Sequence, residues 1–542
     1  MRLWSRGDSF QDHAGKTDQR LPVLLVLLVI VASVAVRTRL LDLPLERDEG
    51  EYAYIAQLML NGFLPYVDVY SMKLPGIYWA YSAVVSLFGA SIEGVRLALI
   101  LVHSASICLL FLLAKRLTDS WTGVLAAAFF AFFSLSPFTH GLFANAEHFV
   151  LLPAIGGLAA LIKALDEDRL LLLLFSGLLL GTGFLMKQHG IAFVILAGAY
   201  LLLNGLTPIN RPAQRFAFFG IGAMLPYVLV CLFFWNAGVF ENFWYWTFEY
   251  AGSYASMVTS QEAWSGFKDR FFLIVASAPL IWGLCIAGIC FGWKGAFVGN
   301  RRAFIPLFFL FSALSICPGF YFRPHYFLLL LPAAGLMGAI GFRSILKLLS
   351  SHRSRHVQIG LTALLIMACF APTLYQQREY FFSMSSEEVC RMIFPMRPFP
   401  ESIEISRYIR ANTNSEDRIA VIGSEPQIYF YSQRRSATGY IYMYPMMEQH
   451  SEALRMQENM IREIEAVQPV FLIFVNAYTS WLKKSESHDL IFKWFHRYRT
   501  RYYEPIGFVE IYPDRSEYRW GENLKMDPKA DAWIAVLKRK AN

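Results

Sequence analysis

The sequence predicts a polytopic α-helical membrane protein that ends in a soluble α/β domain. Of 542 residues, 56% are apolar and only 17% charged, against roughly 25% charged in soluble domains. Long uncharged runs recur between residues 21 and 377, many near the ~20 residues a helix needs to cross a ~30 Å hydrocarbon core. Beyond residue 377 the composition turns to that of a soluble chain. Disorder, collagen, coiled coil and an ordinary soluble enzyme are excluded by the same figures.

The runs are 21–36, 74–92, 97–114, 120–146, 148–162, 170–186, 188–210, 216–240, 271–293, 303–322, 324–342 and 356–377. The first follows a basic segment, 1–20, read as cytoplasmic, and is taken as an uncleaved anchor. Run 74–92 mixes Pro75, Gly76, Tyr78, Trp79, Tyr81 and Ser82, which suits a membrane interface. Charge decides whether it spans. With 74–92 in the interface, the downstream inner loops hold thirteen cations: Lys115, Arg116, Lys163, Arg169, Arg211, Arg215, Lys294, Arg301, Arg302, Arg343, Lys347, Arg353 and Arg355. The outer loops hold four: Lys187, Lys268, Arg270 and Arg323. If 74–92 spans, the bias inverts against the positive-inside rule. The expectation is therefore about eleven transmembrane helices and a cytoplasmic N-terminus. The regions are a segment 1–20, a membrane domain 21–377 with an outer loop 38–92, and an extracytoplasmic α/β domain 378–542.

In that tail, 418–422 and 470–475 read as buried strands, and 401–410 and 448–467 as amphipathic helices. No glycine fingerprint for a dinucleotide is present. Six of the seven cysteines lie in apolar runs and only Cys390 in a polar region, so neither a disulfide framework nor a zinc site is expected. The net charge of +8 is distributed by topology, which speaks against nucleic acid as a partner.

Polar residues that interrupt the pattern carry the chemistry. In the outer loop, Asp42, Glu46 and Asp68 read as solvated charges, whereas Asp48 and Glu49 open an amphipathic segment able to lie on the membrane surface. Glu147-His148 begins a span. Lys187-Gln188-His189 and Arg323-Pro324-His325-Tyr326 join nearly continuous apolar runs. Ionisable groups at such depth are functional by default, although Lys187 and Arg323 also suit helix-end anchors. The topology puts all of them on one membrane face. Carboxylates there can take a proton from a hydroxyl, and Lys and Arg can hold phosphate charge. At a membrane surface the phosphate belongs most naturally to a lipid, so the residues point to an outer-face transferase with a lipid-phosphate donor. Trp244, Tyr245, Trp246, Tyr250 and Tyr254 suit either a sugar-stacking surface or an interfacial belt.

At these residues the chain resembles the C-type (GT-C) integral-membrane glycosyltransferases. The branch is that of protein O-mannosyltransferases, the lipid A aminoarabinose transferase and the galacturonosyltransferases of the lipopolysaccharide core. The matching pieces are 47–54, 70–79, 88–96, Lys187 in its junction and the run 323–327, within a resemblance covering 20–345. It implies that a sugar moves from a polyprenyl-phosphate carrier to a lipid, glycan or protein acceptor, by a single inverting displacement. Asp48 would be the general base, with Glu49 and Glu147 as further catalytic carboxylates. Lys73, Lys187, His189, Arg323, His325 and Tyr326 would bind the donor. Where many relatives carry Asp after the third span, this chain has Asn145-Ala146-Glu147-His148, so a divalent metal cofactor is left open. A flippase of lipid-linked sugars and a C-type enzyme using a pyrophosphate-linked oligosaccharide are the alternatives.

Overall fold

A computed structural model describes residues 20–205, 211–291, 303–351, 353–521 and 524–540. Residues 1–19 of the expected cytoplasmic segment, the end of run 188–210, and the loop cations Lys294, Arg301 and Arg302 lie outside the described residues.

The apolar runs fold as helices in the predicted order. They are α1 (Arg20–Thr38), α2 (Arg47–Leu60), α3 (Gly76–Phe88), α4 (Ile92–Leu117), α5 (Ser120–Phe133), α6 (Ala146–Glu167), α7 (Leu170–Met186), α8 (Ile191–Gly205) and α9 (Pro212–Asn236). Short helices α10 (Phe240–Trp244) and α11 (Ala251–Ala255) flank a π-turn (Tyr245–Tyr250). Then come α12 (Ser260–Ser277), α13 (Pro279–Phe291), α14 (Phe304–Leu314), α15 (Leu331–Ser350) and α16 (Arg355–Gln376).

Among the described residues, α1, α4, α6, α9, α16 and the segment Pro324–Ser350 containing α15 are each long and apolar enough to cross a membrane alone. Helices α12 and α13 qualify only together and bend by 103° at their junction. The other four expected spans are shorter as described: α5, α7 and α14 have 14, 17 and 11 residues, and the described part of α8 has 15. At 1.5 Å per residue they rise only roughly 16–26 Å. Helix α3, in the run expected at the interface, has 13 residues.

Small residues bring helices close. Gly288 of α13 and Gly341 of α15 lie against carbonyl oxygens of Met337 and Leu284, where any Cβ would overlap them. At one end of the bundle, loop charges pair across helices: Arg116 with Asp166 at 2.6 Å, Arg215 with Asp168 at 2.5 Å and Arg343 with Asp119 at 3.4 Å. These belong to the loops expected on the inner side.

The soluble domain holds a six-stranded sheet. Its strands are β1 (Arg418–Ile422), β2 (Arg435–Ser436), β3 (Phe471–Asn476), β4 (Tyr503–Ile511), β5 (Ser516–Trp520) and β6 (Ala532–Arg539), in the order β2-β1-β3-β6-β4-β5. Strand β1 is parallel to β2 and β3, and the remaining pairs are antiparallel. The apolar residues of β1 and β3 are buried, as strands inside a parallel arrangement require.

Helix α2 ties the two halves together. One apolar cluster runs from α2 and α3 into the sheet. Tyr54 stacks on Tyr429 with ring centroids 5.0 Å apart, and Arg47 pairs with Glu425 at 2.5 Å. Gly50 is dictated by this contact, because a Cβ there would overlap the Gln427 backbone.

Candidate active site

The first turn of α2 sorts the acidic residues by face. Glu46 caps the helix and forms a reciprocal capping box with Glu49. Asp48 and Glu51, three residues apart, share the opposite face. The Lys73 ammonium lies between them, 2.9 Å from Asp48 Oδ1 and 2.6 Å from Glu51 Oε2. Tyr78 donates a further bond to Glu51 at 3.1 Å, and the Ser71 hydroxyl also donates to it. Burial would raise the Asp48 carboxyl, but Lys73, then His325 and Lys187, reverse this and hold it well below the usual carboxylate range. Burial would lower the Lys73 ammonium, and the two carboxylates reverse that in turn, keeping it protonated.

The sequence grouped Glu49 with Asp48, and the structure separates them. Glu49 is fully buried, binds both terminal nitrogens of Arg96, and accepts from the backbone N–H groups of Ala144 and Glu46. Adjacent helical positions point about 100° apart, so Glu49 faces α4 while Asp48 faces the cavity. Its place is structural. Two acids read as solvated charges are also anchored: Glu46 is buried, and Asp42 accepts a hydrogen bond from Ser386. Asp68 accepts the Leu64 N–H at 2.9 Å and lies 3.8 Å from Arg435.

The other predicted residues converge from distant elements. Lys187, where α7 ends, places its ammonium 2.6 Å from Glu147 Oε1 at the start of α6 and 4.2 Å from the Tyr326 ring centroid. The second Glu147 oxygen is buried without a hydrogen-bond partner among the described residues. His189 Nδ1 donates to the Ser315 carbonyl at 2.7 Å, and its ring meets Tyr326 edge-on. His325 Nε2 stands 3.9 Å from Asp48 Oδ2. Arg323 lies over the Tyr321 ring, which stacks on Tyr254.

Most of the predicted residues converge on one cavity of about 590 Å³. Asp48, Lys73, Lys187, His189, Arg323, His325 and Tyr326 line it; Glu49 and Glu147 do not, Glu147 standing behind Lys187. Trp246, Tyr250 and Tyr254 of the aromatic run also line it, whereas Trp244 is exposed. Sequence reasoning missed Glu51, Arg270 and the soluble domain's Arg397, Tyr442 and Tyr444, which also face the cavity. The cations there fall into two classes. Arg47, Lys73 and Lys187 are paired with carboxylates. No carboxylate among the described residues lies within ion-pair distance of Arg270, Arg323 or Arg397, so these three guanidinium groups line the cavity without a direct ion pair.

A divalent metal does not fit these side chains. Among the described residues no three His, Cys, Asp or Glu side chains gather to hold one, and ammonium groups occupy Asp48 Oδ1 and Glu147 Oε1.

With this geometry in view, known proteins can be compared. Residues 72–235 match the family described as dolichyl-phosphate-mannose-protein mannosyltransferase. The undecaprenyl phosphate-alpha-4-amino-4-deoxy-L-arabinose arabinosyl transferase of Pseudomonas aeruginosa is 30% identical over 313 residues, 54% of each chain. The match thus spans about half the length of that relative. Among solved structures, ArnT from Cupriavidus metallidurans bound to undecaprenyl phosphate superposes with a TM-score of 0.55 at 15% identity, covering 84% of this chain and 93% of that one. The archaeal oligosaccharyltransferase AglB from Archaeoglobus fulgidus, in complex with an inhibitory peptide and a dolichol-phosphate, gives 0.55 at 11% identity, covering 97% and 76%. The chain is thus a multi-pass membrane protein with the C-type glycosyltransferase fold, similar in sequence to the mannosyltransferase and aminoarabinose-transferase branch of that fold.

Proposed function

We propose that this protein is a glycosyltransferase that moves a sugar from a polyprenyl-phosphate carrier to an acceptor at the outer face of the cytoplasmic membrane. The observation that carries this reading is the cavity itself. It sets one open carboxylate oxygen, Asp48 Oδ2, in a chamber lined by three arginines that form no ion pair with a carboxylate among the described residues. Such a chamber favours a bound anion beside a base. The relatives act on or bind undecaprenyl- and dolichyl-phosphate compounds by name, which supports a lipid phosphate as that anion.

In the proposed step the acceptor oxygen attacks the anomeric carbon opposite the phosphate, so configuration inverts. Asp48 Oδ2 takes the acceptor's proton while the carbon–oxygen bond to phosphate breaks. The phosphate leaves with the bonding electrons, and Lys187, Arg323, Arg270 and Arg397 stabilise its charge, so no general acid is needed. A strongly depressed carboxylate is a weak base. An arriving phosphate draws on Lys187, one of the groups that depress Asp48, and adds negative charge beside that carboxylate, and so raises its basicity when substrate is bound.

The test uses purified full-length protein and radiolabelled undecaprenyl-phosphate pentoses and hexoses, following release of free carrier. Asp48→Asn keeps shape and removes basicity, so turnover should fall roughly 10²–10⁴-fold with carrier binding nearly unchanged. Asp42→Asn, outside the cavity, should retain activity. Near wild-type turnover in Asp48→Asn removes the assignment. The outward orientation predicts that an impermeant thiol reagent added outside labels a cysteine at Ser415 and not one at Ser351; the reverse pattern overturns it.

A further inference from the structure

The soluble domain reaches into the cavity through a short segment outside regular helix or strand, Tyr440-Ile441-Tyr442, which leads into Met443, the N-cap of a short helix that Tyr444 opens. Ile441 and Met443 are buried, 1% and 0% exposed, while Tyr440, Tyr442 and Tyr444 line the cavity. The backbone is pinned on both sides of the central tyrosine. The Met443 N–H donates to Ser424 Oγ at 2.8 Å, and the Gly439 carbonyl accepts from the Tyr70 N–H at 2.8 Å.

Pinned in this way, Tyr442 places its hydroxyl 3.0 Å from Asp48 Oδ1 and 3.3 Å from the Arg47 carbonyl oxygen. Its single proton goes to the nearer, charged acceptor. Asp48 Oδ1 is then held twice, by Lys73 at 2.9 Å and by Tyr442. Among the described residues no hydrogen bond reaches Oδ2, and His325 Nε2 stands 3.9 Å from it. A carboxylate fixed through one oxygen cannot rotate the other away from the cavity.

We infer that Tyr442 is a positioning residue for the transfer reaction, by which the soluble domain fixes Asp48 Oδ1 and presents Oδ2 to the acceptor. This rests on Asp48 being the base. It gives the soluble domain a part in the chemistry, since the membrane half supplies the carboxylate and the soluble half its orientation. The other groups facing Asp48 come from several elements. They are Glu46, Glu51 and Tyr52 of α2 and its cap, Lys73, Glu147 of α6, Lys187, and His325 with Tyr326. None of these changes in Tyr442→Phe, so the variant isolates one hydrogen bond.

Two measurements on the purified full-length protein test this. In the first, Tyr442→Phe is assayed across pH with whichever labelled undecaprenyl-phosphate sugar the wild type turns over. A mispositioned base should cost about tenfold to a hundredfold in kcat, with the binding of undecaprenyl phosphate unchanged. The lost bond stabilised the ionised carboxylate, so the acid limb of kcat should move to higher pH and not to lower. In the second, thermal unfolding of Asp48→Ala, Tyr442→Phe and the double variant needs no substrate. The double variant should lose less than the sum of the singles, because both remove the same bond. Additive losses, or a Tyr442→Phe enzyme with the wild-type kcat and acid limb, overturn the inference. An active Asp48→Asn enzyme instead removes the base assignment, and the unfolding cycle still judges the contact.

Discussion

The Lys187 ammonium stands 2.6 Å from Glu147 Oε1, joining the end of α7 to the start of α6 through an ion pair whose carboxylate is fully buried. The pair serves both the fold and the cavity, and the two roles separate experimentally. Lys187→Met strands Glu147 and should destabilise by ~3–5 kcal/mol. Adding Glu147→Leu removes the stranded charge and should return the melting temperature close to wild type, while turnover stays lost. Thermal unfolding in detergent with the carrier-release assay checks this. A double variant that regains both stability and activity would show that Lys187 is only a helix anchor.

Arg270, Arg323 and Arg397 approach the cavity from α12, from the loop after α14 and from the soluble domain. Each charge-assisted hydrogen bond to phosphate is worth ~1.5–3 kcal/mol. Replacing any one by Ala should therefore weaken binding of undecaprenyl phosphate by about ten- to a hundredfold. At Arg323, Lys keeps the charge and loses the two-pronged fork, so affinity should fall in the order Arg, Lys, Ala. Equal dissociation constants for the three residues at position 323 would exclude it from the phosphate site.

Glu46 makes stability depend on pH in an unusual direction. Burial, with the negative charges of Asp48 and Glu49, pushes its carboxyl up to about 8. An unfolded Glu titrates near ~4.3, so between those values the folded state holds a proton that the unfolded state has lost. Stability from this group is complete below about 4.3 and declines as pH rises towards 8. Glu46→Gln mimics the protonated form. Its melting temperature should exceed that of wild type at pH 8 and vary less between pH 5 and 8. Parallel pH profiles for the two proteins would show that Glu46 is ionised when folded.

The sequence carried much of this site because membranes make polar residues conspicuous. Lys187, His189, Arg323, His325 and Tyr326, read where apolar runs meet, reach one cavity with Asp48, read at the start of an amphipathic segment, and with Lys73, which the family resemblance alone named. What stayed hidden depends on direction and on long-range contact. Spacing separates Glu49 from Asp48 on a helix, but only packing against Arg96 shows which of them meets the cavity. Glu46 read as a loop charge because a cap buried under a docked domain looks the same in sequence as one in water. Arg397 and Tyr442 lie some 350 to 390 residues beyond Asp48 in the chain, and no local pattern links them. In the soluble domain β1 and β3 were legible as apolar runs. Strand β2 has two residues and β5 is partly exposed, so neither carries such a run.

Helices α7 and α14, with 17 and 11 residues, reach about 25 and 16 Å at 1.5 Å per residue, short of a ~30 Å hydrocarbon slab. A helix of such length that starts at one hydrocarbon boundary ends inside the slab, which would put the chain after it, carrying Lys187 or Arg323, below the opposite headgroup plane. Polar backbone at that depth is tolerated where protein or a cavity surrounds it. A phosphate hanging from a prenyl tail can meet these cations while the tail stays dissolved in the leaflet. For such a carrier the relevant supply is molecules per unit area of membrane, replenished by two-dimensional diffusion. The rate of the reaction would then follow lipid packing and lateral crowding more closely than any bulk concentration.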